Sequence, residues 1–202
     1  MEEWKRVVWS DETKVERVGF GGLEWVWKRP AGGAITEQHV KGTVKFGGGG
    51  LMMWACATSQ GVGHACRIDG GLDGQLYTHI LDDEFLKTLE YYGLEKDEII
   101  FQQDNDSKHT SRLARQWFEG KGVKVLSWPS QSPDLNPMEH LWHHLKQRLA
   151  AYPTEACNVD SLWERVQTEW EKIPVDACVH LIESMPKRIA AVLKAQGGYT
   201  KY

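Results

Sequence analysis

Residues 51–58 (LMMWACAT) and 62–68 (VGHACRI) form two apolar runs parted only by Ser59-Gln60-Gly61. Each run is too short for an ordinary helix, and a tight turn parts them, so they read as two successive strands. Gly47-Gly48-Gly49-Gly50 then reads as the turn that delivers the chain into the first of them. Upstream, residues 6–10 (RVVWS) predict strand one, ending at Asp11. Residues 16–29 predict a hairpin, with Gly19, Gly21 and Gly22 at its turn and Leu23, Trp25 and Trp27 on one face at period two.

The period changes after residue 70. Leu76, Ile80, Leu81, Phe85, Leu89 and Tyr92 fall near helical spacing over 73–92, and Gly93 is the stop. A short strand is expected over 98–103 (EIIFQQ), ending at Asp104, then a helix over 110–119 and a last strand over 123–126. A turn-rich loop at 128–133 leads to a helix over 137–150, and two or three more helices fill 160–194. That order predicts an α/β fold: one domain over 1–202, a mixed five-stranded sheet flanked by helices, a hairpin insertion at 15–46 and a helical tail at 155–202.

Composition narrows the function classes. With 41% hydrophobic and 26% charged residues the chain is neither disordered nor dependent on staples. Its formal charge of −4 argues against binding nucleic acid by bulk charge alone. No apolar run reaches the ~20 residues of a membrane span, and Met1-Glu2-Glu3-Trp4-Lys5 opens no signal-peptide core, so neither a membrane-spanning nor a secreted chain is expected. Cys56, Cys66, Cys157 and Cys178 contain no C-x-x-C pair and are expected to be buried thiols, not a zinc site. The ten tryptophans are expected mainly as core anchors.

Two of the expected strands end in aspartate, Asp11 and Asp104. Lying parallel and adjacent, they would bring both carboxylates to the carboxyl-end edge of the sheet, where open α/β sheets bind ligands. Two such carboxylates repel unless one is protonated or a cation sits between them. Oxygen-only donors favour Mg²⁺ or Mn²⁺; capping of the next turn is the simpler role. Glu139 is similarly open. Asn136-Pro137-Met138-Glu139 fits a helix start with Glu139 reaching back as a capping box, while Met138, Leu141, Trp142, Leu145 and Leu149 make the core stripe. Glu139 stands at the rim of that stripe, placed either to cap or to bind a metal.

The string FQQDNDSKHTS…WPSQSPDLNPMEHLWHHLK places 34 residues between Asp104 and Glu139, WSDET carries Asp11, and SMPKRIAAVLKAQGGYTKY closes the chain. Together with VKFGGGGLMMWACATSQGVG, these strings resemble the catalytic domain of mariner-superfamily (Tc-type) DNA transposases over nearly the whole length. The resemblance implies a ribonuclease-H-like fold with an Asp-Asp-Glu triad at Asp11, Asp104 and Glu139, binding two Mg²⁺ or Mn²⁺ ions. It implies phosphodiester hydrolysis at transposon ends, strand transfer into target DNA, DNA as partner and nuclear residence. His140 stands where the family usually has Asn, and Tyr199 where it has Pro. Family members also carry two amino-terminal helix-turn-helix modules; here Trp4-Lys5-Arg6 runs almost directly into strand one, so these are expected to be missing.

Lys108, His109 and Arg112 are candidate nucleic-acid contacts, a solvated helix start being the alternative; His143 and His144 are expected at the rim rather than on a metal. The early hairpin with Trp25 and Trp27 resembles the family's clamp that grips a partner subunit, implying a homodimer, and competes with plain core packing. No small-molecule substrate is expected. Two other functions compete: an inactive or recruited remnant acting as an interaction module, and a general ribonuclease-H-like nuclease.

Overall fold

The computed structural model describes residues 2–17, 49–198 and 200–202. The hairpin expected around Trp25 and Trp27, and Tyr199, lie outside the described residues. A short helix α1 (Glu2–Lys5) precedes β1 (Val7–Glu16), and β2 (Gly50–Thr58) runs antiparallel to it from Trp9↔Ala57 to Glu16↔Gly50. Strand β3 (Gly61–Ile68) returns antiparallel to β2. Gly61, at φ 139°, makes the tight turn, and a Cβ there would meet the Tyr92 hydroxyl at 2.6 Å, so only glycine fits.

Helices α2 (Gly74–Ile80) and α3 (Leu86–Tyr92) are one rod joined by a π-turn at Leu81–Phe85. Asp73 caps its start through Leu76 N–H, and Gly93, at φ 62°, ends it. Strand β4 (Ile100–Gln102) adds parallel to β1 on the side away from β2, α4 (Arg112–Lys121) crosses over, and β5 (Lys124–Val125) adds parallel to β4. The order β3-β2-β1-β4-β5 is the mixed five-stranded sheet expected.

Helices α5 (Met138–Ala150), α6 (Val159–Glu171), α7 (Val175–Glu183) and α8 (Met185–Lys194) follow. One sheet face, with Val8, Trp54 and Phe101, packs on Tyr77, Leu81, Phe85 and Phe118 of the first helices. The other, with Val7, Trp9, Val15 and Met53, packs on Leu141, Trp142, Leu145, Val166 and Trp170. Trp142 and Trp170 stack with centroids 5.1 Å apart, and the Trp170 indole donates to Gly63 O at 2.9 Å, fastening α5 and α6 to the sheet.

Strand one does not end at Asp11. It continues to Glu16 because β2 supplies backbone partners all along it, which an apolar run of residues cannot reveal. Strands β4 and β5 are shorter than expected, β4 because the chain turns after Gln102. Cys157 is exposed rather than buried; Cys56 and Cys178 are buried and Cys66 is partly so.

Candidate active site

The last rung between β1 and β4 pairs Trp9 with Gln102. Ser10 seals it, its hydroxyl donating to Gln102 O at 2.8 Å and its N–H to Gln102 Oε1 at 3.2 Å. Beyond this point β1 continues with β2 while β4 departs, so the sheet opens at the next residue, Asp11. Alternation puts Asp11 on the face of Trp9, beneath α5.

There the Trp142 indole donates to Asp11 Oδ2 at 3.0 Å. Glu139 lies one turn earlier on α5, at i and i+3 with Trp142, on an exposed rim. Burial, reinforced by the charge of Glu139, pushes the Asp11 carboxyl up to about 7. The capping box is not formed. Asn136 N–H is spent on Pro133 O at 2.9 Å and Asn136 Oδ1 accepts from Met138 N–H at 3.1 Å, so Glu139 is left free of the capping role.

Asp104 sits two residues past β4, where two further steps of the parallel register would set it opposite Asp11. Its Oδ1 accepts from Asp106 N–H at 2.9 Å and meets His109 Nδ1 at 2.5 Å, while Oδ2 has no hydrogen-bond partner among the described residues. The hydrogen bond from His109 holds the Asp104 carboxyl below its ordinary range. His109 Nε2 reaches Glu12 Oε1 at 3.1 Å, and its ring lies 4.4 Å from that of Tyr77. Burial pushes the imidazole down, but the bonds to Asp104 and Glu12 more than offset it and hold it at about 9.

The candidate DNA contacts are therefore redistributed. Lys108 Nζ lies 2.7 Å from Asp106 Oδ2 and 3.6 Å from Glu12 Oε2, and His109 bridges two carboxylates; both are engaged inside the site because Glu12 points from β1 toward them. Arg112 is exposed at the first residue of α4. His143 is exposed and His144 half-buried, as expected of rim residues. As the side chains stand, no group of three His, Cys, Asp or Glu among the described residues would hold a metal ion.

Three participants escaped sequence reasoning. Glu12 stands beside Asp11, Trp142 belongs to the core stripe of α5, and Lys146 lies two turns beyond Glu139 on α5. The Lys146 ammonium donates to Thr13 Oγ1 at 2.8 Å, two residues along β1 from Asp11, with no carboxylate in ion-pair range among the described residues. A cleft of about 350 Å³ opens beside Asp104, lined in part by Gln103, Arg115, Phe118 and Val125. A larger one of about 470 Å³ lies at the outer edge of β3, away from the acids.

Residues 48–172 match the protein family described as DDE superfamily endonuclease. The chain is 42% identical over 203 residues to the transposable element Tc1 transposase of Caenorhabditis elegans, covering 100% of this chain and 72% of the relative. It is 40% identical over 200 residues to the transposable element Tcb1 transposase of Caenorhabditis briggsae, covering 99% and 71%. Among solved structures, the Mos1 mariner paired end complex with Mn matches with TM-score 0.80 at 20% identity, over 98% of this chain and 57% of that one. The catalytic domain of Mos1 mariner transposase matches with TM-score 0.72 at 19% identity, over 98% and 85%. This chain thus has the Mos1 catalytic fold and spans 57% of the length of the chain in the paired end complex.

Proposed function

Given that this chain belongs to the DDE superfamily endonucleases, as the catalytic domain of a Tc1/mariner-type transposase, we propose that Asp11, Asp104 and Glu139 are its catalytic acids. The observation that carries the reading is the placing of Asp11 where β4 parts from β1, beneath the first turn of α5: burial opposes the Asp11 charge and the charge of Glu139 on that turn adds to the opposition. A hard divalent cation is what such a pair fits. Asp104 Oδ2, on the same opening, supplies a third oxygen.

Two bound Mg²⁺ or Mn²⁺ ions would supply Lewis-acid activation of the attacking oxygen and stabilisation of the leaving 3′ oxygen in an in-line displacement at phosphorus. The chain's own groups prepare that site. Trp142 orients Asp11, His109 and Asp106 N–H hold one oxygen of Asp104 and leave the other without a partner among the described residues, and the frame of α5 carries Glu139. The similar Mos1 structures include complexes with Mn and with a left transposon end, which supports divalent metal and DNA as this chain's partners. Hydrolysis at transposon ends followed by strand transfer into target DNA is the reaction this arrangement serves. A homodimer through residues 15–46 and nuclear residence belong to the same reading.

The test is nicking of supercoiled plasmid by the purified chain in Mg²⁺ or Mn²⁺. Metal-dependent nicking abolished by Asp104→Asn and by Glu139→Gln supports an active endonuclease. No nicking by a folded, metal-binding parent supports the remnant instead. Preference for RNA–DNA hybrid over duplex DNA would indicate a general ribonuclease-H-like nuclease.

A further inference from the structure

The Glu139 carboxylate makes no hydrogen bond or ion pair among the described residues. What holds it in place is therefore the backbone of the first turn of α5, which fixes where the side chain starts. That frame is gripped from the far end of the chain. Arg188, on α8, is only 1% exposed. Its Nη1 donates to Asp134 O at 2.8 Å, its Nη2 to His140 Nδ1 at 3.1 Å and its Nε to Ser184 Oγ at 2.8 Å. The guanidinium also lies 5.0 Å from the Tyr202 ring centroid, and Thr200 Oγ1 donates to Asp134 Oδ2 at 2.8 Å.

Asp134 belongs to the 3-10 turn Pro133–Leu135 that leads into α5, and His140 follows Glu139 directly. The two residues held by Arg188 thus bracket the acid. No carboxylate stands within ion-pair range of Arg188 among the described residues, so burying it costs stability. Methionine would fill much of that volume but leave Asp134 O, His140 Nδ1 and Ser184 Oγ without their donor. What methionine lacks is the rigid fork of N–H donors that reaches a carbonyl, an imidazole and a hydroxyl at once.

We propose that Arg188, with Thr200 and Tyr202, latches the C-terminal segment onto the turn before α5 and so positions Glu139 toward Asp11. Arg188 is a positioning residue for the acid site, and this role rests on the assignment of Glu139 made above. It connects SMPKRIAAVLKAQGGYTKY to the chemistry: the tail holds the third acid in place.

The experiment is calorimetric titration of the full chain with Mn²⁺ alone, beside thermal unfolding, for the parent, Arg188→Met, Arg188→Lys, Thr200→Val and Glu139→Gln. Arg188→Met is expected to fold with a melting temperature somewhat below the parent's, since three acceptors lose their donor, and to bind Mn²⁺ roughly 10- to 100-fold more weakly. Arg188→Lys should recover part of that loss, and Thr200→Val should lose affinity by a few-fold. Folded Arg188→Met with parental Mn²⁺ affinity overturns the proposal, as does a lower melting temperature with unchanged affinity. Should Arg188→Met not fold, Thr200→Val decides: a few-fold loss supports the latch and parental affinity overturns it. Glu139→Gln separates the two levels. If it keeps parental affinity, the acid assignment falls and the latch with it; if it loses affinity while the latch variants keep it, only the latch falls.

Discussion

The indole N–H of Trp142 on α5 donates to Asp11 Oδ2 on β1 at 3.0 Å, across 131 residues of sequence. This bond joins the helix that carries Glu139 to the strand that carries Asp11, and it opposes the upward push that burial exerts on Asp11.

Trp142→Phe keeps the stacking surface against Trp170 but removes that donor. The loss should cost about 1 kcal/mol in urea unfolding near neutral pH. It should also move the pH of half-maximal Mn²⁺ binding upward, because Asp11 then ionises less readily. Calorimetry across pH 6–9 checks this.

Asp11 makes metal-free stability depend on pH. Its carboxyl is raised from 3.8 to about 7 in the folded protein, so its contribution is most favourable below 3.8 and declines as pH rises through 7. Asp11→Asn should therefore stabilise the metal-free chain at pH 8, by up to about 4 kcal/mol, and by much less near pH 4. Mn²⁺ should reverse the order by stabilising the parent alone. Thermal melts with and without metal test both signs.

The His109 bridge has the complementary signature. With its imidazole raised from 6.5 to about 9, the stabilisation is full below 6.5 and fades as pH climbs through 9. His109→Ala should destabilise the chain at pH 6 by about 2 kcal/mol, since Asp104 and Glu12 lose the cation between them. It should also remove the parent's decline between pH 7 and pH 10. Asp104 is partly exposed, which keeps the magnitude below that of a fully buried pair. Denaturant midpoints measured along the pH series check the slope.

Among the described residues, Lys146 presents an ammonium tethered only to the Thr13 hydroxyl on the acid-bearing face. Lys146→Ala should weaken duplex DNA binding without sequence preference and reduce the slope of log affinity against log salt by about 0.9. Fluorescence anisotropy at several salt concentrations measures it. An unchanged slope removes Lys146 from the DNA path.

Much of this fold was legible because apolar period and glycine punctuation carry it: Gly93 ends the long helix, and Met138, Leu141, Trp142, Leu145 and Leu149 all face the core. Residues 11–16 (DETKVE) look polar, so an apolar run alone ends strand one too early, and only the pairing with β2 shows them as strand. Asp11, Asp104 and Glu139 were visible as a spacing and a resemblance. Glu12, Trp142 and Arg188 were not, since their roles depend on which atoms meet across 97, 131 and 54 residues. Basic side chains are mostly exposed, and nothing in the sequence marks Arg188 as a buried one.

Anomalous diffraction from crystals of this chain soaked in Mn²⁺ tests the shared metal site most directly. Two peaks about 3.5–4 Å apart, ligated by oxygens of Asp11, Asp104 and Glu139, are the predicted result. Density that leaves any one of the three acids unligated, with Asp104 turned only toward His109, would contradict it.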